Sequence, residues 1–239
     1  MKEIVLRHLS IGYRHKVVAK DLSAVLRSGE LTCLIGRNGL GKSTLLRTLS
    51  GFLRPLDGDV VLRGDTGEEL SLNRLGKERL ARLVSVVLTE RAGVRLLSVE
   101  ELVAMGRMPY TGFFNQMTDD DRKVVAESLR LTGMSGLARR EVSELSDGER
   151  QKVMIARTLA QQTPVILLDE PTAFLDYESK VATMRLLRDL ARNMDKLIIV
   201  STHDLDIALH TADRLLTLGD GGLEDLSRQQ LQDQLNKYW

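Results

Sequence analysis

The nine residues Gly36 to Thr44, GRNGLGKST, fill the pattern G-x-x-x-x-G-K-[ST] at every fixed position. They follow an apolar run, Leu31-Thr32-Cys33-Leu34-Ile35, and open onto Leu45-Leu46-Arg47-Thr48-Leu49. Strand, glycine-rich turn and helix start form the setting in which this pattern cradles phosphate. Glycines let backbone N–H groups close around phosphate oxygens, and the helix N-terminus adds positive potential. In that arrangement Lys42 reaches the β- and γ-phosphates, and the Ser43 hydroxyl ligates Mg²⁺. The stretch predicts a bound nucleoside triphosphate.

Outward from this loop, strands and helices alternate after a β-rich opening. Ile4-Val5-Leu6 and Leu22 to Leu26 read as early strands, with Gly12-Tyr13 as the turn region between them. Asp59 to Leu62 reads as another strand, opened by the turn signal Asp57-Gly58. Val84 to Leu88, Val165 to Leu168 and Leu197 to Val200 are short and almost wholly apolar. Such runs belong to strands buried on both faces of a parallel sheet. Between Thr89 and Arg157 helical patterns take over, at Val99 to Met105, Asp120 to Thr132 and Glu149 to Ala160. The expectation is one domain, with an α/β core over 1–89 and 161–239 and a helical subdomain inserted over about 90–160.

Composition permits this reading without deciding it. The 239 residues are 43% hydrophobic and 28% charged, enough for a sizeable core. No apolar run reaches the roughly 18 residues of a membrane span, and MKEIVLRHLS lacks a signal peptide's apolar stretch. Work at a membrane would therefore need another anchor. A net charge of +1 gives no long-range attraction to nucleic acid. The single cysteine, Cys33, lies in an apolar strand, which fits a core residue in a reducing cytosol.

Two more strands end in polar clusters. Val165 to Leu168 runs into Asp169-Glu170-Pro171, and in open α/β sheets ligands bind beyond the carboxyl ends of strands. Asp169 is expected to hold the Mg²⁺, and Glu170 to poise the attacking water. Leu197 to Ser201 runs into Thr202-His203-Asp204. His203 there can meet a γ-phosphate, or the cluster is a helix start with Asp204 as its cap. ELSDGERQ, Glu144 to Gln151, places Ser146 and Gly148 at the positive end of another helix. A second anion site in one chain fits a head-to-tail dimer, in which Ser146 and Gly148 of one copy close over the ATP of the other.

Together these residues closely resemble the ATP-binding cassette ATPases of transporters, over nearly the whole chain and in the family's order. GRNGLGKST matches the P-loop, LSDGE the signature (usually LSGGQ) and VILLDE the acidic strand. Ala173-Phe174-Leu175-Asp176 matches the D-loop, and His203 the switch histidine. The resemblance implies a P-loop core of mixed, largely parallel sheet with an antiparallel β subdomain. It implies ATP contacts from Gly36, Arg37, Asn38, Gly39, Leu40, Gly41, Lys42, Ser43 and Thr44, and from Ser146, Gly148, Glu149 and Asp176. Tyr13 falls where the family stacks an aromatic on adenine. Catalysis would fall to Lys42, Glu170 and His203, with Mg²⁺ at Ser43 and Asp169. The implied partners are a membrane permease, a second copy of the chain and, indirectly, a substrate-binding protein, at the cytoplasmic face of the inner membrane.

VEELVAMGRMPY, Val99 to Tyr110, is similar to a segment of importers for iron–siderophore, haem and vitamin B12, and would lie near the permease contact. Gly106 to Tyr110 are therefore candidate coupling residues. Two positions depart from the family. Thr89 stands where a metal-touching glutamine is usual, with Glu90 as an alternative donor. Asp147 stands in the signature where glycine is usual, and would have to point away from phosphate or pair with Arg150. A mechanical DNA-repair ATPase is a competing class, but the roughly 100 residues between P-loop and signature carry no sustained heptads. A non-hydrolysing nucleotide sensor is disfavoured, because Lys42, Ser43, Asp169, Glu170 and His203 are all present.

Overall fold

The computed structural model describes residues 2–14, 16–36, 39–88, 96–112, 116–219 and 222–236. It opens with β1 (Glu3–Tyr13) and β2 (Lys16–Arg27), then β3 (Leu31–Ile35), α1 (Lys42–Leu49), β4 (Asp57–Arg63) and β5 (Glu69–Ser71). Next come α2 (Lys77–Ala81), β6 (Val84–Val87), α3 (Val99–Ala104), α4 (Asp119–Leu131) and α5 (Asp147–Ala160). The chain continues through β7 (Val165–Asp169), α6 (Tyr177–Asn193), β8 (Leu197–Thr202) and α7 (Leu205–Thr211). It finishes with β9 (Arg214–Gly219), β10 (Gly222–Asp225) and α8 (Arg228–Asn236).

Two sheets form. One is antiparallel in the order β2-β1-β4-β5, and the other runs β10-β9-β3-β8-β7-β6, parallel except for the β10 edge. The apolar strands of the second sheet are sorted residue by residue. Leu34, Val165, Leu167, Leu197 and Ile199 join a core shared with β1, β2, β4 and α1. Their neighbours Cys33, Ile35, Ile166, Leu168, Ile198 and Val200 join a core beneath α5, α6 and α7. Successive side chains point to opposite faces, so a strand covered on both sides must be apolar throughout.

The helices between β6 and β7 have a core of their own, including Val99, Val103, Val125, Leu129, Val153 and Ala156. Helix α5 serves two cores: Ile155 and Leu159 face the sheet, while Val153, Ala156 and Ala160 face α3 and α4. Among the described residues of this stretch, the β pairing is a single bridge between Ser98 and Glu141.

The hairpin differs from its sequence reading. Gly12 and Tyr13 are the last paired residues of β1, opposite Val17 and Lys16, so the turn comes after them. Glycine punctuates turns, but here close packing explains it: a Cβ on Gly12 would meet the Lys16 carbonyl oxygen at 2.2 Å. No described helix is long and apolar enough to cross a membrane.

Candidate functional site

Strand β3 ends at Ile35 and delivers Gly36 to the site, and α1 begins at Lys42 with Gly41 as its N-cap. Gly41 has φ 103°, a left-handed value, and a Cβ there would stand 2.4 Å from Val18 Cγ1 of β2. That contact brings the β1–β2 hairpin against the loop. Tyr13 lies at the same end of the hairpin, 44% exposed. Arg37, Asn38, Thr89 and Glu90 lie outside the described residues.

Lys42 is buried and folded back on its own loop, with Nζ donating to the Gly36 carbonyl at 2.7 Å and standing 3.9 Å from Glu170 Oε1. Burial pushes its ammonium below the ordinary lysine value, against the upward pull of Glu170 and Asp169. Ser43 Oγ donates to Asp169 Oδ1 at 3.0 Å. Asp169 ends β7 and Ser201 lies beside it in β8. The Ser201 hydroxyl donates to Asp169 Oδ1 at 2.6 Å and accepts from the Glu170 N–H at 2.9 Å. Glu170 adopts φ 49°, a left-handed turn uncommon outside glycine, and its N–H also reaches the Ser201 carbonyl at 3.1 Å. The turn aims Glu170 Oε2 at His203 Nδ1, 2.7 Å away. Lys42, Ser43, Asp169, Glu170 and His203 therefore converge at the carboxyl ends of β3, β7 and β8.

Asp204 is spent elsewhere. It stands at the start of α7 but makes no side-chain cap bond; its carboxylate takes Lys180 Nζ at 2.9 and 3.1 Å and the Thr172 hydroxyl at 3.3 Å.

Ser146 and Gly148 open onto a different cleft, of about 260 Å³, lined also by Glu149, Lys152, Ser179 and Thr183 and by none of the described P-loop residues. Ser146 caps α5, and Glu149 answers it: the Ser146 N–H and hydroxyl both donate to Glu149 Oε2 at 2.9 Å. These bonds hold the Glu149 carboxyl below its usual range. The Ser146 donors that the sequence assigns to a phosphate are thus taken by the chain's own carboxylate. Asp147 has Arg150 Nη1 at 3.5 Å. Asp176 caps α6 through Ser179, whose N–H and hydroxyl both donate to it at 2.9 Å.

The candidate coupling residues Gly106 to Tyr110 differ in exposure. Gly106 and Arg107 are buried, whereas Met108 is 55% exposed. Ser201 is the residue that sequence reading missed. It is the last residue but one of a strand whose apolar run masks it, and only pairing beside β7 gives it a role.

The ABC transporter family pattern matches residues 19–173. An uncharacterized ABC transporter ATP-binding protein of Methanocaldococcus jannaschii is 43% identical over 208 residues, spanning 87% of this chain and 70% of the relative. The iron(3+)-hydroxamate import ATP-binding protein of Bacillus subtilis is 34% identical over 221 residues, spanning 92% and 80%. Among solved structures, a dimeric bacterial ABC transporter cassette superposes with a TM-score of 0.76 at 27% identity, over 94% of this chain and 99% of that one. The chain belongs to the ABC transporter family, as an ATP-binding cassette that hydrolyses ATP.

Proposed function

We propose that this cassette is the ATPase subunit of an importer that takes up a metal chelate, a ferric siderophore, haem or cobalamin, through a separate membrane permease. The observation that carries the ATPase reading is the convergence of Lys42, Ser43, Asp169, Glu170 and His203 at three strand ends. Lys42 would leave the Gly36 carbonyl for the β- and γ-phosphates. Glu170, oriented by His203, would take the proton of the attacking water. Tyr13 would stack on adenine.

Ser43 Oγ and Asp169 Oδ1, 3.0 Å apart, are hard oxygen donors of the kind Mg²⁺ takes. Mg²⁺ keeps several waters and binds substrate phosphates, so two protein oxygens suffice; once bound, it neutralises charge on the transferred phosphoryl group. Thr89 remains a proposed third donor. Ser146, Gly148, Glu149 and Asp176 would meet the nucleotide of a second copy, head to tail. The division into a core over 1–89 and 161–239 and a helical unit over about 90–160 belongs to the same reading.

The permease would dock near Met105 and Met108, which are exposed beside the buried Arg107, and would hold the cassette at the cytoplasmic face of the membrane. The cargo class is supported by the iron(3+)-hydroxamate relative and the segment Val99 to Tyr110. A substrate-binding protein would feed the permease from the other side.

Glu170→Gln should bind ATP and Mg²⁺ normally, hydrolyse slowly and elute as a stable dimer. Hydrolysis at the wild-type rate would remove Glu170 from the mechanism. Cells lacking this gene should lose uptake of one chelate; normal uptake of all three types, with loss of sugar, amino-acid or drug transport, would overturn the cargo assignment.

A further inference from the structure

Beyond α3 a 3₁₀ turn, Met105–Arg107, leads into Met108, Pro109 and Tyr110. Gly106 lies so close to α5 that a Cβ would stand 2.3 Å from the Arg157 carbonyl oxygen. Arg107 is only 6% exposed, and its guanidinium joins three elements. Nε donates to Asp121 Oδ1 at 2.8 Å, in the first turn of α4. Nη1 donates to the carbonyl of Ala160, the last residue of α5, at 2.7 Å, and to Gln162 Oε1 at 2.8 Å on the way to β7. The Tyr110 ring centre is 4.1 Å from Arg107 Cζ, and its hydroxyl donates to the Gln161 carbonyl at 3.0 Å.

A second set of bonds ties this knot to the sheet. Arg82 stands 5.1 Å from the Tyr110 ring centre, and its Nε donates to the Pro109 carbonyl at 3.0 Å. Gln161 Nε2 donates to the Ala81 carbonyl at 2.7 Å. The segment after α3 and the exit from α5 toward β7 are therefore fastened at one place, the corner from α2 into β6. The opposite end of α5 is different. Ser146 and Asp147 are exposed and held by bonds within the same turn.

An apolar side chain would fill the Arg107 site at a lower desolvation cost. What the guanidinium adds is direction, because its donors lie in one rigid plane and hold several acceptors in a single geometry. A cation at the carboxyl end of a helix also complements the helix dipole. The 14 residues of α5 span about 20 Å, so angular play at the fastened end is magnified at Ser146.

We propose that Arg107 and Tyr110 are positioning residues for Ser146, fixing the carboxyl end of α5 against the α2–β6 corner and so the direction in which α5 presents its other end. This rests on the reading that Ser146 meets the nucleotide of a second copy. It removes Gly106, Arg107 and Tyr110 from the permease contact and leaves Met105 and Met108 as the residues on offer there.

The test uses Tyr110→Ala and Arg107→Lys, neither of which strands Asp121 without a cation. Spin labels at Ser143→Cys and Lys20→Cys, both exposed positions, report the distance from the signature end to the core, since the native Cys33 is buried. The parent should give one narrow distance and both variants a broad one. In a Glu170→Gln background, the variants should need at least tenfold more protein to dimerise with ATP, while monomer affinity for a fluorescent ATP analogue stays unchanged. Distances as narrow as the parent's, or dimerisation at the parent's concentration, would overturn the proposal. So would an equal loss of monomer nucleotide affinity, which marks general damage to the fold. If Glu170→Gln itself stays monomeric with ATP while the distances broaden as described, the head-to-tail reading fails and the clamp stands.

Discussion

Ser201 is fully buried near the end of β8, where its hydroxyl donates to Asp169 and accepts from the Glu170 N–H. One small side chain thus contacts both acids. Ser201→Ala is expected to cost about 1–2 kcal/mol of stability, the usual range for losing a buried hydrogen bond. It should lower kcat while KM holds, because the phosphate loop is untouched. Urea unfolding and steady-state kinetics measure the two effects. Glu149 poses the complementary case, a carboxylate sitting on the Ser146 donors. Glu149→Gln keeps the capping geometry and removes the charge. The ATP concentration for half-maximal dimerisation in a Glu170→Gln background should fall. An unchanged or higher midpoint would show that the carboxylate does not compete with phosphate.

At the scale of elements, α5 is the shared wall. Ile155 and Leu159 bind it to the sheet, and Val153, Ala156 and Ala160 bind it to α3 and α4. Its carboxyl end is approached so closely by Gly106 that no Cβ fits without moving backbone. Gly106→Ala should therefore destabilise by about 1–3 kcal/mol, the range for overpacking. Thermal unfolding should show the loss, and a midpoint equal to that of the parent would mean that α3 and α5 can part at no cost.

Across the whole molecule, Cys33 reports global unfolding. It sits in the middle of β3, hydrogen-bonded between β8 and β9, with no exposed surface. Burial pushes its thiol up to about 12, so the reactive thiolate is suppressed in the folded state. Iodoacetamide should modify Cys33 only through unfolding. ATP at about 100 times its Kd stabilises the folded state by roughly 2.7 kcal/mol, which should slow labelling about 100-fold. Mass spectrometry with and without ATP measures the ratio; labelling that ATP leaves unchanged would separate the core around Cys33 from the nucleotide site.

The P-loop, the apolar strands β3, β7 and β8 and the acids at their ends are legible in the sequence because each is a local signal. Period and motif state which face an element buries and what its end presents. The short elements β5, α2 and β10 carry too little pattern to be read that way. The same holds for the partners of polar side chains. Arg107 bonds to Ala160 across 53 positions, and Ser201 to Asp169 across 32. Sequence alone determined the apolar strands β3, β7 and β8, the phosphate loop and the family resemblance. Only the tertiary structure decided that Ser201 contacts both acids, that Glu149 fills the signature end, and that Arg107 is buried rather than offered to a partner. Such choices depend on which elements meet in space, and residues this far apart in the chain encode their meeting through packing and not through any local pattern.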